Sequence, residues 1–186
     1  MLGPGAGVCP GARRRARPAV RTVTKAMGKQ SAGLLLYRGG EEGTEVLLVH
    51  PGGPFYTRRD EGVWSVPKGE PEPGEEPLAV ALREFEEEIG TAAPVDASAL
   101  VELGSVRQKG GKVVLAWCAR GDFDVTQARS STFALEWPPR SGQIREFPEI
   151  DRAAWCSLAE ARRKLVPAQA ELVDRLEALL RQTACP

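Results

Sequence analysis

The chain carries a run of acids on one short predicted helix: Glu84, Glu86, Glu87 and Glu88. Acids three and four residues apart share a helix face, so Glu84, Glu87 and Glu88 should point the same way and repel one another. Apolar residues recur along the same stretch at spacings of four, three and four: Leu78, Leu82, Phe85 and Ile89. This periodicity predicts a helix that packs its apolar side against a core and presents its carboxylates on the other side.

The predicted helix ends at Gly90, so the acids lie near its C-terminus, where the helix macrodipole disfavours negative charge. Arg83 is the only basic residue between Val80 and Ala92. A divalent cation that also binds substrate phosphates would relieve the repulsion, because hard cations prefer oxygen ligands. The alternative is a solvated acidic face without a metal. From the helix alone, both interpretations stay open.

The residues around the helix form an ordered motif. Its positions, in chain order, are Gly69, Glu75, Arg83, Glu84, Phe85, Glu87, Glu88 and Gly90. This order resembles the signature motif of the Nudix hydrolase superfamily. Thr91 stands where that family usually has a large apolar residue, at a position used for packing. The resemblance implies an α/β fold, the Nudix α/β/α sandwich with a mixed β-sheet, over residues 29–186.

The resemblance also implies a reaction, since Nudix enzymes hydrolyse the diphosphate linkage of nucleoside diphosphate derivatives with water and divalent metals. The metal ligands that it implies are Glu84, Glu87, Glu88 and a backbone carbonyl at Lys68 or Gly69. The cofactor is then Mg²⁺, with Mn²⁺ as the other candidate. Arg83 would orient Glu84 through charge-assisted hydrogen bonds, and Glu86 would be a bystander. Glu75 has either a catalytic role or only that of a charge at the helix N-terminus.

Two carboxylates are candidates for the general base. Glu84 is the first choice, because it would lie beside the metal-bound water. In some Nudix enzymes the base is a distal glutamate ahead of a strand that carries a tryptophan. By its spacing from Trp155, Glu149 resembles that glutamate, as a base or a further metal ligand, and Glu146 is the reserve. The alternative is that Pro148 and Glu149 form only a solvated turn.

Four side chains are predicted to contact the substrate: Arg58, Lys68, Trp137 and Arg140. Arg58 belongs to the loop 51–62, which is long enough to overhang the site. Trp137 would either stack a nucleobase or simply pack, and Arg140 would bind phosphate. His50 is the only histidine, and we assign it no catalytic role, since a lone histidine is more often structural.

The composition favours one globular domain. The 186 residues are 42% hydrophobic and 27% charged, enough for one sizeable core, and no apolar run approaches the length needed to cross a bilayer. The 4 cysteines are scattered, which indicates neither a zinc site nor a disulfide framework. We therefore expect a cytoplasmic protein whose partner is a nucleotide-type small molecule and not a membrane. Its oligomeric state stays open.

Residues 1–28 form a basic leader rich in Gly, Ala, Pro and Arg, with six basic residues and no acid. The rest of the chain has 19 basic and 25 acidic residues, a net charge of −6. Three interpretations stay open: a disordered tail, a transit-like segment, or a true start at Met27. Nucleic-acid binding is disfavoured, because no aromatic residue interleaves the arginines.

Periodic segments on both sides of the motif predict further elements. Strands are predicted at 31–38, 44–50, 63–66, 101–108, 112–120 and 153–157, and helices at about 158–165 and 167–182. Glycines predict hairpin turns near residues 39–43 and 110–111.

The leading hypothesis is a Mg²⁺-dependent hydrolase of nucleoside diphosphate derivatives. Dinucleoside polyphosphates are candidates, because residues 64–75 resemble the corresponding run of diadenosine tetraphosphate hydrolases. The tyrosine that those enzymes carry after the motif is missing near residues 107–109, as is the proline of ADP-ribose hydrolases, so the subfamily stays open. The alternative is a Nudix-fold module that binds a nucleotide and regulates a partner without hydrolysis. An isomerase of this fold is disfavoured, because no cysteine lies between Cys9 and Cys118.

Overall fold

A computed structural model describes residues 29–41 and 43–183, so the predictions for the leader at 1–28 lie outside the described residues. The described strands are β1 (Gln30–Gly40), β2 (Gly43–Pro51), β3 (Lys68–Gly69), β4 (Val101–Arg107), β5 (Val113–Arg120), β6 (Thr132–Glu136), β7 (Ile144–Pro148) and β8 (Ile150–Ser157). The described helices are α1 (Pro77–Ile89), α2 (Leu158–Lys164) and α3 (Ala170–Thr183), with short 3₁₀ turns at Ala97–Ala99, Val125–Gln127 and Pro167–Gln169. No helix in these ranges is long and apolar enough to cross a membrane.

Six of the described strands form one mixed sheet around β1. The order is β4, β5, β1, β2, β8, and the short β3 pairs antiparallel with β1. Strands β1 and β5 run parallel, whereas the other neighbouring pairs are antiparallel. Gly40 pairs with Gly43 at the predicted turn between β1 and β2. The predicted mixed sheet is confirmed.

Helices cover both faces of this sheet, because the apolar side chains of β1 alternate between two cores. Leu34 and Leu36 belong to the core under α1, where Phe85 is fully buried. Leu35 belongs to the opposite core, which α2 and α3 cover with side chains such as Leu172. The molecule is therefore the predicted α/β/α sandwich.

Helix α1 begins at Pro77, whose ring suits the first helical turn, and is capped by Gly90 with a φ of 88°. Its buried residues are Val80, Ala81, Phe85 and Ile89. Of the four residues predicted to form the apolar face, Phe85 and Ile89 are buried, whereas Leu78 and Leu82 are only half-buried at the edge of the core. Leu82 lies against the segment 92–100, a contact that spacing along the helix cannot reveal.

The strand predicted at 63–66 is wrong. The backbone N–H groups of Val63 and Trp64 donate to the Lys164 carbonyl at 3.0 Å each, whereas Ser65 pairs with Val49 of β2. Because this segment bonds to two different elements, it forms no continuous ladder with either. The strand that pairs with β1 is instead β3.

An unpredicted hairpin, β6 with β7, lies apart from the main sheet. Thr132 pairs with Pro148 at its base and Glu136 pairs with Ile144 at its far end. A single residue, Glu149, connects β7 to β8. The strand predicted at 153–157 therefore begins three residues earlier, at the start of β8.

Candidate active site

The Glu84 carboxylate packs directly against Gly69, the glycine that opens the motif. Gly69 lies on β3 opposite Ala32 of β1, and Glu84 reaches it from α1. A Cβ atom at Gly69 would overlap the carboxylate of Glu84. The side chain of Glu84 is only 14% exposed. Any larger residue at position 69 would therefore displace this carboxylate.

Arg83 connects the carboxylates around it. Its Nε and Nη2 atoms donate to the two oxygens of Glu75 at 2.9 Å each, which is a bidentate pair. Its Nη1 atom donates to Glu84 at 2.8 Å and to Glu87 at 3.0 Å. The Nη2 atom also donates to the Glu70 carbonyl at 3.2 Å. The contact that the sequence predicts between Arg83 and Glu84 is present, while its role in catalysis stays a prediction.

Glu75 anchors Arg83, a partnership that the sequence analysis missed. The hydrogen bonds from Arg83, with one from the Glu72 backbone, lower the pKa of Glu75 to about 2. Reciprocally, the hydrogen bonds that Arg83 donates to Glu75 and then to Glu84 raise the pKa of Arg83 above its ordinary value, against the opposing effect of burial. Glu75 precedes the helix by two residues, in a loop, so helical spacing gives no signal for this pair.

Glu88 lies near the end of α1, beside Lys68. The Lys68 backbone N–H donates to the Glu88 carboxylate at 3.2 Å. Burial raises the pKa of Glu88 to about 7, the charges of Glu84 and Glu149 add to the rise, and the charge of Lys68 opposes it. Burial lowers the pKa of the Lys68 ammonium, although the charges of Glu88 and Glu84 favour its protonated form. Lys68, a predicted substrate residue, therefore lies among the motif carboxylates.

The donor set fits a divalent cation. No three His, Cys, Asp or Glu side chains in the described parts of the chain converge on one metal position. Arg83 binds both Glu84 and Glu87, which turns these carboxylates toward its guanidinium. Even so, every candidate ligand is a hard oxygen, the absence of a side chain at Gly69 admits the Glu84 carboxylate, and burial raises the pKa of Glu88 to about 7. A bound cation would offset that burial cost.

Glu149 lies on the same side of the molecule as Glu88, which lines a pocket together with Ser130 and Ile150, and the charge of Glu149 is among those that raise the pKa of Glu88. Its backbone N–H donates to the Ser131 carbonyl at 2.9 Å, and its own carbonyl accepts from Gly52 at 2.8 Å. The Ser131 hydroxyl donates to the Glu149 carboxylate at 3.0 Å. The residue is thus held from two sides although it is exposed, and its role in the site stays a prediction. Glu146, the reserve candidate, is exposed on β7.

The other predicted substrate residues lie at the rim. Arg58 is exposed on the loop 51–62, and Arg140 is exposed in the hairpin turn with a φ of 65°. Trp137 is half-buried at the start of that turn. Its ring meets Phe55 edge to face, with centroids 5.3 Å apart and an interplanar angle of 83°. Trp137 and Arg140 therefore both lie in the turn between β6 and β7, whereas the motif carboxylates lie on α1.

His50 is fully buried and links two segments next to the site. Its Nδ1 atom lies 2.6 Å from Asp151 Oδ1, and its Nε2 atom lies 2.7 Å from the Arg59 carbonyl. The ring also meets Trp64 edge to face at 5.1 Å. Sequence analysis expected a structural histidine but could not identify these partners, because Asp151 follows 101 residues later.

Comparison with known proteins shows which family this chain is similar to. The model of the family described as NUDIX domain matches residues 27–176. Rat (Rattus norvegicus) bis(5'-nucleosyl)-tetraphosphatase [asymmetrical] is 41% identical over 98 residues, which cover 47% of this chain and 64% of that protein. The match therefore spans less than two thirds of the length of this relative.

Solved structures share the fold. A C. elegans Ap4A hydrolase binary complex aligns with a TM-score of 0.57 at 23% identity, covering 83% of this chain and 99% of that one. The NUDIX domain of Shewanella oneidensis NrtR, complexed with ADP ribose, aligns with a TM-score of 0.54 at 16% identity, covering 82% and 88%. At these identities the likeness concerns the fold. Because the family model covers most of the sequence from Met27 onward, the chain belongs to the NUDIX domain family.

Proposed function

We propose that this chain is a metal-dependent pyrophosphohydrolase that cleaves a phosphorus anhydride bond in a nucleotide derivative. The observation that carries the proposal is the position of the Glu84 carboxylate, which packs against Gly69 while Arg83 binds it. This arrangement fixes an anionic oxygen beside a stretch of backbone that has no side chain. Carboxylate and backbone carbonyl oxygens brought close together in this way are the ligands that hard divalent cations prefer.

The proposed metal ligands are Glu84, Glu87, Glu88, Glu149 and the Gly69 carbonyl. Mg²⁺ is the proposed ion and Mn²⁺ the other candidate, because carboxylate and carbonyl oxygens suit both. When bound, such an ion neutralises charge on phosphate oxygens and lowers the pKa of water. Glu75 binds Arg83 through both oxygens, so Arg83 stays anchored when Glu87 turns to a metal.

Hydrolysis also needs a base, for which Glu84 is the first candidate and Glu149 the second. The oxygen of water forms a bond to phosphorus, the bridging P–O bond breaks, and its electron pair leaves with the departing phosphate. The proton of the water goes to the carboxylate. Arg83 orients Glu84 and Ser131 orients Glu149, so each carboxylate is held for this transfer. The Lys68 ammonium supplies positive charge for the phosphates.

Dinucleoside polyphosphates are the substrate class that we propose first. The rat relative is named as a bis(5'-nucleosyl)-tetraphosphatase. Residues 64–75 of this chain resemble the same region of diadenosine tetraphosphate hydrolases. Several anionic phosphates in a row would need metal, Lys68 and arginine partners together.

The test is a turnover assay with Mg²⁺ on a panel of dinucleoside polyphosphates, ADP-ribose, NADH, nucleotide sugars and oxidised nucleoside triphosphates. The matched pair of variants is Glu87→Gln and Glu86→Gln, since the two residues are adjacent and exposed on α1. We expect Glu87→Gln to lower kcat by about 10²–10³, the scale for losing one charge-stabilising group, and Glu86→Gln to leave it unchanged.

Absence of metal-dependent turnover with every compound would overturn the proposal, and nucleotide binding without turnover would support the regulatory module instead. The base is identified by comparing Glu84→Gln with Glu149→Gln at saturating metal. Both carboxylates are also proposed metal ligands, so kcat is compared only once the metal is saturating, and the variant with the larger loss of kcat has lost the base.

A further inference from the structure

Two aromatic rings from different segments meet at the rim of the molecule. Phe55, on the loop 51–62, is 60% exposed, and Trp137, in the turn between β6 and β7, is half-buried. The rings meet edge to face at 5.3 Å, which is a favourable aromatic geometry. Ile144 lies beside this turn and is 68% exposed. The surface therefore offers apolar rings to solvent, where a flat ligand would bury them.

Both segments are held in place before any ligand arrives. The loop is fixed at one end by the Gly52 N–H, which donates to the Glu149 carbonyl, and at the other by the Arg59 carbonyl, which lies 2.7 Å from His50. In the hairpin turn, the Trp137 N–H donates to the Gln143 carbonyl at 2.8 Å. Rings that are already ordered lose little conformational entropy when they bind a ligand.

The aromatic pair lies at the far end of the β6–β7 hairpin from Glu149. The loop follows the hairpin outward, with Gly52 against Pro148, Gly53 facing Phe133, and Phe55 against Trp137. Ile144, next to the turn, is four residues along β7 from Pro148, which corresponds to about 13 Å of strand. Pro148 directly precedes Glu149. The pair thus lies at the far end of the hairpin from Glu149, where a further part of an extended substrate would reach.

Exposed arginines stand on both segments that carry the rings, alongside an equal number of acids. Arg58, Arg140 and Arg145 are exposed on the loop and the hairpin. Of the acids on the same hairpin, Glu136 already accepts the Gly142 N–H at 2.7 Å, and Glu146 is exposed on β7. Guanidinium groups bind phosphates and also stack on flat rings, so both parts of a nucleotide have partners here.

We propose that Phe55 and Trp137 form a subsite for the distal nucleobase of a substrate that carries two bases. The inference rests on the proposed function, because the phosphate chain must lead from the motif carboxylates to this rim. One nucleoside end of the substrate lies with the cleaved bond, and the other base stacks on the aromatic pair. The rings then select two-base substrates over one-base compounds with the same phosphates.

The test compares diadenosine tetraphosphate with adenosine tetraphosphate, which differ in the second nucleoside. The quantity measured is the KM of the one-base compound divided by the KM of the two-base compound. We expect Trp137→Ala and Phe55→Ala each to lower this ratio about tenfold, the scale of one base stacking on an aromatic ring. Trp137→Phe should keep most of the ratio. Val101→Ala, an exposed apolar control on β4, should keep all of it.

The ratio of the two dissociation constants is also measured by titration calorimetry on Glu87→Gln protein, which does not depend on turnover. If the unmodified protein hydrolyses neither compound but hydrolyses others of the panel, dinucleoside polyphosphates fail as the proposed substrate class, and the calorimetric ratio still decides the subsite. A ratio that stays unchanged in both alanine variants overturns the subsite while hydrolysis stands. Conversion of a dimer to a monomer by these variants, with an unchanged ratio, would identify a second copy of the chain as the occupant of this surface.

Discussion

The carboxylate of Asp151 lies 2.6 Å from Nδ1 of the buried His50, and the other ring nitrogen faces the Arg59 carbonyl. The imidazole therefore joins β8 to the far end of the loop 51–62. We predict that His50→Ala lowers the free energy of unfolding by about 3 kcal/mol, because a buried ring is lost and two oxygens lose their partner.

Chemical denaturation measures this loss. Thr57→Ala is the control in the same loop, since its hydroxyl makes one exposed hydrogen bond to the Gly53 carbonyl, and it should change stability by less than about 0.5 kcal/mol. Equal effects of the two substitutions would contradict the link that we assign to His50.

A methyl group at Gly69 should inactivate the protein while a methyl group elsewhere on the sheet does not. In Gly69→Ala, the new Cβ atom would overlap the Glu84 carboxylate, so this ligand must move. We expect kcat to fall by about 10²–10³, the scale for losing one charge-stabilising group. Gly39→Ala on β1 is the control, because its Cβ would meet no atom within 4 Å. Full activity of Gly69→Ala would show that hydrolysis does not require the Glu84 carboxylate to lie against Gly69.

Arg83→Lys should be nearly as damaging as removal of the side chain, because an ammonium cannot make the bidentate pair with Glu75 and also reach Glu84. We expect kcat to fall 10- to 100-fold, roughly the loss for residues that orient metal ligands, with the fold retained. Arg162→Lys provides a matched control, since Arg162 binds Asp174 and Glu177 far from the motif. Steady-state kinetics and circular dichroism separate the two effects. If both variants behave alike, Arg83 is only a surface arginine.

Metal binding should release protons below neutral pH and not above it. The pKa of Glu88 is raised to about 7, so in the metal-free protein this carboxyl is protonated at pH 6 and must ionise to bind a cation. We predict that metal binding releases more protons per site near pH 6 than near pH 8.5, where almost none are released. Glu75, whose pKa is lowered to about 2, is ionised at both pH values and contributes none.

Calorimetric titration with Mg²⁺, repeated in buffers of different ionisation enthalpy, counts these protons. A proton count that does not change between the two pH values would contradict the prediction. The same raised pKa also affects the stability of the metal-free protein. Between pH 4.5, the ordinary pKa of a glutamate in the unfolded chain, and about pH 7, the pKa of Glu88 in the folded protein, only the folded state retains this proton. The free energy of unfolding therefore falls as the pH rises through this interval.

The sequence was sufficient to predict those helices and turns that are determined by residues close together in the chain. The helix with Glu84 and Glu88, its Gly90 cap and the hairpin turn at Gly40 follow from periodicity and turn chemistry. These features involve neighbours in the chain, so spacing is sufficient to locate them.

Contacts between distant segments could not be predicted in this way. The apolar segment at 63–66 reads as a strand, but its hydrogen-bond partners decide otherwise. Likewise, nothing in the sequence shows that Ser131 and Gly52 hold Glu149. The β6–β7 hairpin escaped detection because its strands are exposed and short, although the Pro-Pro-Arg-Ser-Gly run between them is a turn signal.

The single residue between β7 and β8 gives the hairpin a mechanical connection to the proposed chemistry. Glu149 is at once the last residue before the central sheet and the first after the hairpin, so a tilt of the hairpin must pivot on its backbone. A molecule bound at the distant turn that tilted the hairpin would therefore also turn the backbone at Glu149. In this way, binding at the tip of the hairpin and the position of the Glu149 carboxylate would be coupled through a single residue.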